Sequence, residues 1–324
     1  MRTITVVKRS TIIALVCGFA GAQAIAAEPL KVVVTIKPVH ALVAALMEGI
    51  AEPLLIVDGA ASPHTFTLKP SAAKAISEAD IFVRASPALE AFTNKIVEAL
   101  PKSVVVVTLA DVPAMKLLDQ RHGGTFEPHV HEHGQHEHDE HHDDHDEHST
   151  GMRDGHIWLD PDNAKAIVRA LAAKLSAASP ASAPKLSANA AALEAKITAM
   201  DASIAADLAG VKDKPFIVLH DAYQYFERHF GLAVAGSLTV SPDVQPSAKR
   251  LSAVRAKIAQ LKAACVFAEP GFQPNLIAAV TEGTTARAGT LDPEGMTLSP
   301  GPQLYFDLMT GLARNLKTCL QAGG

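Results

Sequence analysis

Fifteen histidines stand in this chain, and ten of them fall between His122 and His148. Of the other five, three occupy places where a ligand could be held. His64 lies in ASPHTFTLKPS, a loop between a predicted strand and its helix. His156 opens HIWLDP, in which Asp160 suits a helix N-cap and Pro161 the first helical position. His220 ends the apolar run FIVLH, and Asp292 ends ARAGTLD in the same way. Ligands of open parallel sheets gather outside the carboxyl ends of the strands, so these side chains are candidates for one shared site. Neutral imidazole suits Zn, Cu, Fe or Ni far better than Mg or Ca. Three histidines, with water or Asp292 in fourth place, would make a tetrahedral zinc site with Zn–N of about 2.0–2.1 Å. Separations of 92 residues (His64 to His156) and 64 residues (His156 to His220) are not local zinc-finger spacing. Such a site would exist only in the folded chain.

The histidine-dense stretch offers a second kind of metal chemistry. His129, His131, His133, His136, His138, His141, His142, His145 and His148 are interleaved with eight acidic residues and no Lys or Arg. With an unperturbed pKa near 6.5, most of these rings are unprotonated at neutral pH and free to coordinate, while the carboxylates concentrate cations. Overlapping pairs of this sort predict weak, dynamic accessory binding of Zn2+. The alternative is a solvated acidic linker. Residues 128–151 show no hydrophobic periodicity and are expected to form a disordered loop.

Other polar residues carry plainer expectations. His40 suits a polar contact at a helix start, with a place facing the cleft as the alternative, and His229 a helix face. Glu269 suits orienting a neighbour or pairing with a cation. Trp158, Tyr223 and Tyr225 read as packing residues, and Asp221 with Gln224 as a capping box for the helix after His220.

These residues need a scaffold, and the chain has material for one. It is 48% hydrophobic and 19% charged, with a formal charge of -5, which excludes both a disordered chain and a basic nucleic-acid binder. Strand-like runs at 31–36, 53–57, 81–84 and 104–109 alternate with helical stretches, and the pattern recurs at 216–220, 232–236, 265–269 and 287–292. Alternation predicts an α/β fold of two lobes, each a parallel-type sheet flanked by helices. Between them, 162–178 and the Ala-, Leu-, Lys- and Glu-rich 185–208 read as linker helices, the second long and rigid, interrupted around Pro180 and Pro184. The expected division is 1–27, 28–161 (with the loop 128–151), 162–210 and 211–324.

Residues 1–27 read as a signal peptide. Arg2, Lys8 and Arg9 precede a short apolar run, and small residues follow around Ala22 to Ala27. The run is too short to span a bilayer, so the mature chain is expected to be exported and soluble. Export leaves Cys265 and Cys319, an even pair that suggests one disulfide, with two buried thiols as the alternative.

Taken together, IKPVH (36–40), SPHTFTLKPS (62–71), HIWLDP (156–161), LHDAYQYFE (219–227), FAEPGFQP (267–274) and TLDPEG (290–295) resemble the periplasmic solute-binding proteins of bacterial ABC importers for transition metals, and within them the zinc-binding ZnuA type. The resemblance spans essentially the whole mature chain. It implies two α/β lobes bridged by a rigid helix, with metal held in the cleft by the residues matching the motif, His64, His156 and His220. In manganese and iron relatives a carboxylate replaces the third histidine and the Asp matching Asp292 also binds, so an imidazole at 220 favours zinc. Some zinc members carry Glu directly before the first ligand; here that position is Pro63, which leaves water or Asp292. The resemblance further implies a disulfide between Cys265 and Cys319 and an acidic His-rich insertion. It also implies a partner, an inner-membrane ABC permease with its cytoplasmic ATPase. The expectation is a monomeric zinc carrier, not an enzyme, in the periplasm. Alternatives are a manganese or iron carrier, an exported zinc hydrolase, or a metal-buffering surface protein. Neither H-E-x-x-H nor G-x-S-x-G is present.

Overall fold

A computed structural model describes residues 29–121, 126, 152–239, 241, 244–272 and 274–322. The expected signal peptide, 1–27, and the expected His-rich loop, 128–151, lie outside the described residues. In the first half, strands β1 (Val32–Val34), β2 (Leu54–Leu55), β3 (Ile81–Arg84) and β4 (Val105–Thr108) form one sheet in the order β2-β1-β3-β4. In the second half, β5 (Phe216–His220), β6 (Val234–Thr239), β7 (Cys265–Ala268) and β8 (Arg287–Thr290) form another in the order β6-β5-β7-β8. All pairings in both sheets are parallel. The two halves thus repeat one winding pattern.

Helices α1 (Lys37–Leu46), α2 (Pro70–Ser77) and α3 (Asn94–Ala99) belong to the first sheet, and α6 (Gln224–Phe230), α7 (Ala248–Leu261) and α8 (Pro274–Thr281) to the second. Between them run α4 (Pro161–Ala178) and α5 (Ala183–Leu208), and α9 (Leu304–Gln321) closes the fold. The 26 residues of α5 span about 39 Å. A 3-10 turn, Pro180–Ser182, joins α4 to α5, and Pro184 sits in the first turn of α5, where its missing N–H costs nothing. Asp160 caps α4 as expected, accepting from Asp162 N at 2.7 Å, with Pro161 in the first turn.

Strand alternation explains the layers. Val32, Val34, Ile81 and Val83 of the first sheet, and Phe216 and Val218 of the second, face one continuous core built with α1, α4, α5 and α9. Val33 and Phe82 turn outward to a small cluster under α2 and α3, while Ile217 and Leu219 turn to another under α7 and α8. Both faces of each sheet are covered, which is why the strands read as near-continuous apolar runs.

Three elements differ from the sequence expectation. β1 is cut to three residues because α1 already begins at Lys37, with Pro38 in its first turn. β2 keeps only two paired residues at the sheet edge. β6 starts at 234 and runs to 239, because Gly231 takes a left-handed conformation (φ 68°) to end α6 and the chain needs two residues to rejoin the sheet. Cys265 on β7 and Cys319 on α9 are joined in a disulfide, which removes the free-thiol alternative. Among the described residues, no helix is long and apolar enough to cross a membrane.

Candidate metal centre

The fold brings three of the histidines to one point. His64 comes from a turn after β2, where Thr65 N bonds Ser62 O and His64 N donates to Ser62 Oγ at 3.3 Å. His156 precedes the 3-10 turn Ile157–Leu159 that leads into α4. The preceding Gly155 is needed for contact: a Cβ there would stand 2.7 Å from Ser86 Oγ and 2.8 Å from Leu89 Cβ. His220 is the last residue of β5 and fully buried. Ring centroids are 5.4 Å (His64–His156), 5.5 Å (His64–His220) and 5.3 Å (His156–His220) apart, a near-equilateral arrangement. Each ring has one nitrogen within 4.8 Å of the others'.

Two carboxylates decide which nitrogens face the centre. His156 Nδ1 lies 2.7 Å from Asp154 Oδ1, which also accepts from His156 N at 3.0 Å. His220 Nδ1 lies 2.7 Å from Glu269 Oε1, and Tyr223 OH donates to the same oxygen at 3.1 Å. A carboxylate on Nδ1 holds that proton and leaves Nε2 as a bare donor atom of raised basicity, the arrangement found behind metal-bound histidines. The two Nε2 atoms consequently meet at 3.4 Å with their lone pairs converging. Tetrahedral bonds of about 2.0–2.1 Å require ligand–ligand edges of about 3.3–3.4 Å. A cation between these nitrogens removes a repulsion; without one, the nitrogens can be reconciled only by a shared proton.

The electrostatics favour an unprotonated His64 as well. Burial, then the neighbouring His156 and His220, hold its pKa well below the ordinary 6.5, so it stays neutral at physiological pH. Its Nε2 is buried and makes no hydrogen bond. Burial pulls His220 down, but the charge and hydrogen bond of Glu269, with Glu294 and Asp221, outweigh it and leave His220 raised.

Several sequence expectations are sharpened or corrected here. Glu269 orients a neighbour, namely His220. Asp292 is not one of the clustered residues: its carboxylate accepts from Met296 N, Thr297 N and the Thr297 hydroxyl at 2.9–3.0 Å. The capping box after His220 does not form. Tyr223 is the residue at the helix boundary and caps nothing, Asp221 pairs with Arg121, and Gln224 Nε2 donates to Asp119 O at 2.9 Å. Tyr223, Tyr225 and Trp158 do more than pack. Tyr225 OH donates to Asp154 O and Trp158 Nε1 to Pro293 O, ties that cross between the halves. His40 makes its polar contact with Pro53 O at 3.0 Å. His229 joins Asp160 and Asp201 at 3.0 and 2.8 Å.

Residues missed in the sequence are Asp154, whose only signal is its place two residues before a histidine, and Arg121, which has none. The Arg121 guanidinium crosses from the first half to Asp221 and Glu227 on the second, beside His220. A cavity of about 200 Å³ lined by His64, His156, Asp154, Gln120, Arg121 and Asp221 opens onto the imidazoles. The described residues flanking the His-rich stretch, 118–120 and 152–154, pair in antiparallel fashion at the rim of that cavity. A second acidic cluster, Asp160, Asp162 and His229, is neutralised by Lys116, 2.6 Å from Asp162 and 3.6 Å from Asp160.

Comparison with known proteins supplies independent findings. The family model described as "ZnuA: Zinc-uptake complex component A periplasmic" matches residues 32–319. The chain is 45% identical over 324 residues to the high-affinity zinc uptake system protein ZnuA of Brucella abortus (strain 2308), covering 95% of this chain and 96% of that one. Among solved structures, the SBP FpvC of Pseudomonas aeruginosa in complex with Ni2+ superposes with a TM-score of 0.74 at 18% identity, covering 92% and 98% of the two chains. The Zn(II)-bound ZnuA-like domain of Streptococcus pneumoniae AdcA does so with a TM-score of 0.68 at 24% identity, covering 90% and 98%. The two structures establish likeness of fold.

Proposed function

The chain belongs to the ZnuA family of periplasmic zinc-uptake components, and from that premise we propose that it captures Zn2+ between His64, His156 and His220 and hands it to an inner-membrane ABC permease with its cytoplasmic ATPase. It is a binding component of a high-affinity uptake system, zinc is its cargo, and it performs no chemical conversion. The observation that supports the site is the convergence of three imidazole nitrogens within 4.8 Å of one another, two of them set by carboxylates behind the ring. Imidazole nitrogens at that spacing favour Zn2+ over Mn2+, which prefers oxygen. The ligands come from both halves, so binding reports their relative placement. The carrier acts as a monomer, and the His-rich loop 128–151 is an accessory that holds further zinc weakly.

The test is a zinc titration by calorimetry on three proteins: the mature chain, a version lacking 132–148, and the triple variant His64→Ala, His156→Ala, His220→Ala. The first two should bind one zinc tightly, only the first should take up further weak equivalents, and the third should lose the tight site. Loss of tight binding with the loop deletion instead would place the metal chemistry in the loop.

A further inference from the structure

The contacts that join the two halves are of two kinds. Deep in the fold they are single hydrogen bonds between buried groups: Trp158 Nε1 donates to Pro293 O at 2.9 Å, and Tyr305 OH donates to Trp158 O at 3.0 Å. Near the cavity that opens onto the imidazoles, the segment 118–121 of the first half runs past the residues that follow His220. Leu118 N donates to Tyr225 OH at 3.0 Å, Gln224 Nε2 donates to Asp119 O at 2.9 Å, and the segment ends on Arg121. The same segment is tied to the approach to His156, since Gln120 N donates to Met152 O and Asp154 N to Leu118 O.

Arg121 makes a contact of the second kind, a charged one. Its Nε donates to Asp221 Oδ2 at 3.0 Å and its Nη2 to Asp221 Oδ1, a two-pronged fork, while Nη1 donates to Glu227. Side-chain exposure is 18% for Arg121, 13% for Asp221 and 10% for Glu227, so the group is largely dry yet within reach of solvent. The Phe126 ring covers the guanidinium, its centroid 3.9 Å from Cζ. Charge-assisted bonds of this type are stronger than neutral ones, and the fork needs a planar donor that only arginine supplies. Asp221 directly follows His220 in the chain, and Arg121 and Asp221 line the same cavity as His64 and His156. The grip therefore closes one residue from a ligand position on the second half and is anchored beside Asp154 and His156 on the first.

Resting on the three-histidine reading above, we infer that Arg121 is a positioning residue for zinc retention: its fork on Asp221 and its bond to Glu227 latch the two halves together beside the cleft, and the latch must open before the histidines part from the ion. Charge alone gives the opposite expectation. Without the guanidinium, the carboxylates of Asp221 and Glu227 lose their counter-charge, and Coulomb attraction would hold a nearby dication more tightly. Loss of a latch instead lets zinc leave faster. The two effects differ in sign, so a rate separates them.

The test is zinc release from the full mature chain, followed by stopped flow after mixing with excess chelator, for the parent, Arg121→Met and Arg121→Lys. Removing one side of a buried charge pair acts mainly on dissociation, so Arg121→Met should release zinc about 30-fold faster while the association rate changes less than about threefold. Arg121→Lys keeps the charge without the fork and should fall between the two. Raising the salt concentration should quicken release from the parent and leave Arg121→Met unmoved. Visible absorption of the Co2+ forms should be the same in all three, because no ligand is altered. Circular dichroism and melting of the metal-free forms check folding; where Arg121→Met does not fold, Arg121→Lys decides by releasing zinc faster than the parent or not. Release that is unchanged or slowed would overturn the assignment, as would altered Co2+ bands, which would mean that the substitution distorts the ligands instead. The Ala triple variant separates this from the parent reading: if it keeps one tight zinc, the histidine site itself is wrong whatever Arg121 does to the release rate.

Discussion

The two halves share a strand order and differ in how they hold their part of the site. The second half delivers His220 from the end of a central strand, fully buried, with Glu269 just beyond the neighbouring strand β7 and Tyr223 bonded to that carboxylate. The first half delivers His64 from a turn and His156 from a loop before a 3-10 turn. His64, at 17% side-chain exposure, is the most open of the three. The second half is also stapled, Cys265 to Cys319, and no disulfide is found in the first among the described residues. If zinc sits on these imidazoles as proposed, one half offers its ligand from a strand end in the core and the other offers two from a turn and a loop. A carrier that must both seize and surrender an ion needs such an asymmetry, since ligands that are rigid on every side cannot part.

The staple is the first place to break this comparison. A crosslink closing a 54-residue separation stabilises by roughly 2–4 kcal/mol, mainly by restricting the unfolded chain. Cys265→Ser with Cys319→Ser should lower the unfolding free energy of the metal-free protein by about that amount in denaturant titrations. Zinc affinity should change less than about threefold, because β7 is still held by β5 and β8 on either side. A large loss of affinity would mean that the second half is rigid only by virtue of its disulfide.

The carboxylates behind the rings sharpen it. Glu269→Gln and Asp154→Asn each remove the charge that fixes an Nδ1 proton, and outer partners of this kind are worth about 10–100-fold in metal affinity. The larger loss is expected for Glu269, whose ring sits on a strand with no freedom to find a substitute partner. His156 has slack in its loop, and Asp154 is itself steadied from the second half by Gln224 at 3.4 Å and Tyr225 at 3.0 Å. Chelator competition on the two single variants decides it, and equal losses would argue against the proposed difference in rigidity.

Legibility in the sequence followed the same asymmetry. Strand alternation, helix caps at Asp160 and Pro161, and the three histidines could be read because each depends on local pattern: apolar runs, cap chemistry, a polar residue at a strand end. Arg121 could not, because its meaning comes from contacts to Asp221 and Glu227, 100 and 106 residues along the chain, which no local spacing encodes, whereas Asp154 left only the faint local signal of standing two residues before His156. Asp292 shows what position alone leaves out: it follows a strand as a ligand would, and in the fold its turn bonds both its oxygens. Tyr223 and Trp158 looked apolar enough to be filler, and only the fold reveals what their polar ends hold.

The smallest effect concerns the junction between the halves. His229, on α6 of the second half, bonds Asp160 at the cap of α4 and Asp201 on α5. The hydrogen bond to Asp160 raises its pKa above 6.5 against the opposing effect of burial, and Asp201 adds to the rise. A histidine raised on folding contributes stability that is complete below its unfolded value near 6.5 and is lost as pH climbs through the folded value. Charge-assisted bonds of this type are worth about 1.5–3 kcal/mol when dry, and partial exposure reduces that to roughly 1 kcal/mol here. Metal-free His229→Gln should therefore melt a few degrees below the parent near pH 6, and the gap should close toward pH 9. A gap that stays constant or widens with pH would mean His229 acts by packing alone. Zinc affinity at a fixed pH is the informative companion measurement: if the second half holds its ligand by itself, loosening its tie to α4 and α5 leaves His220 and Glu269 in place and shifts binding only through the distance to His64 and His156.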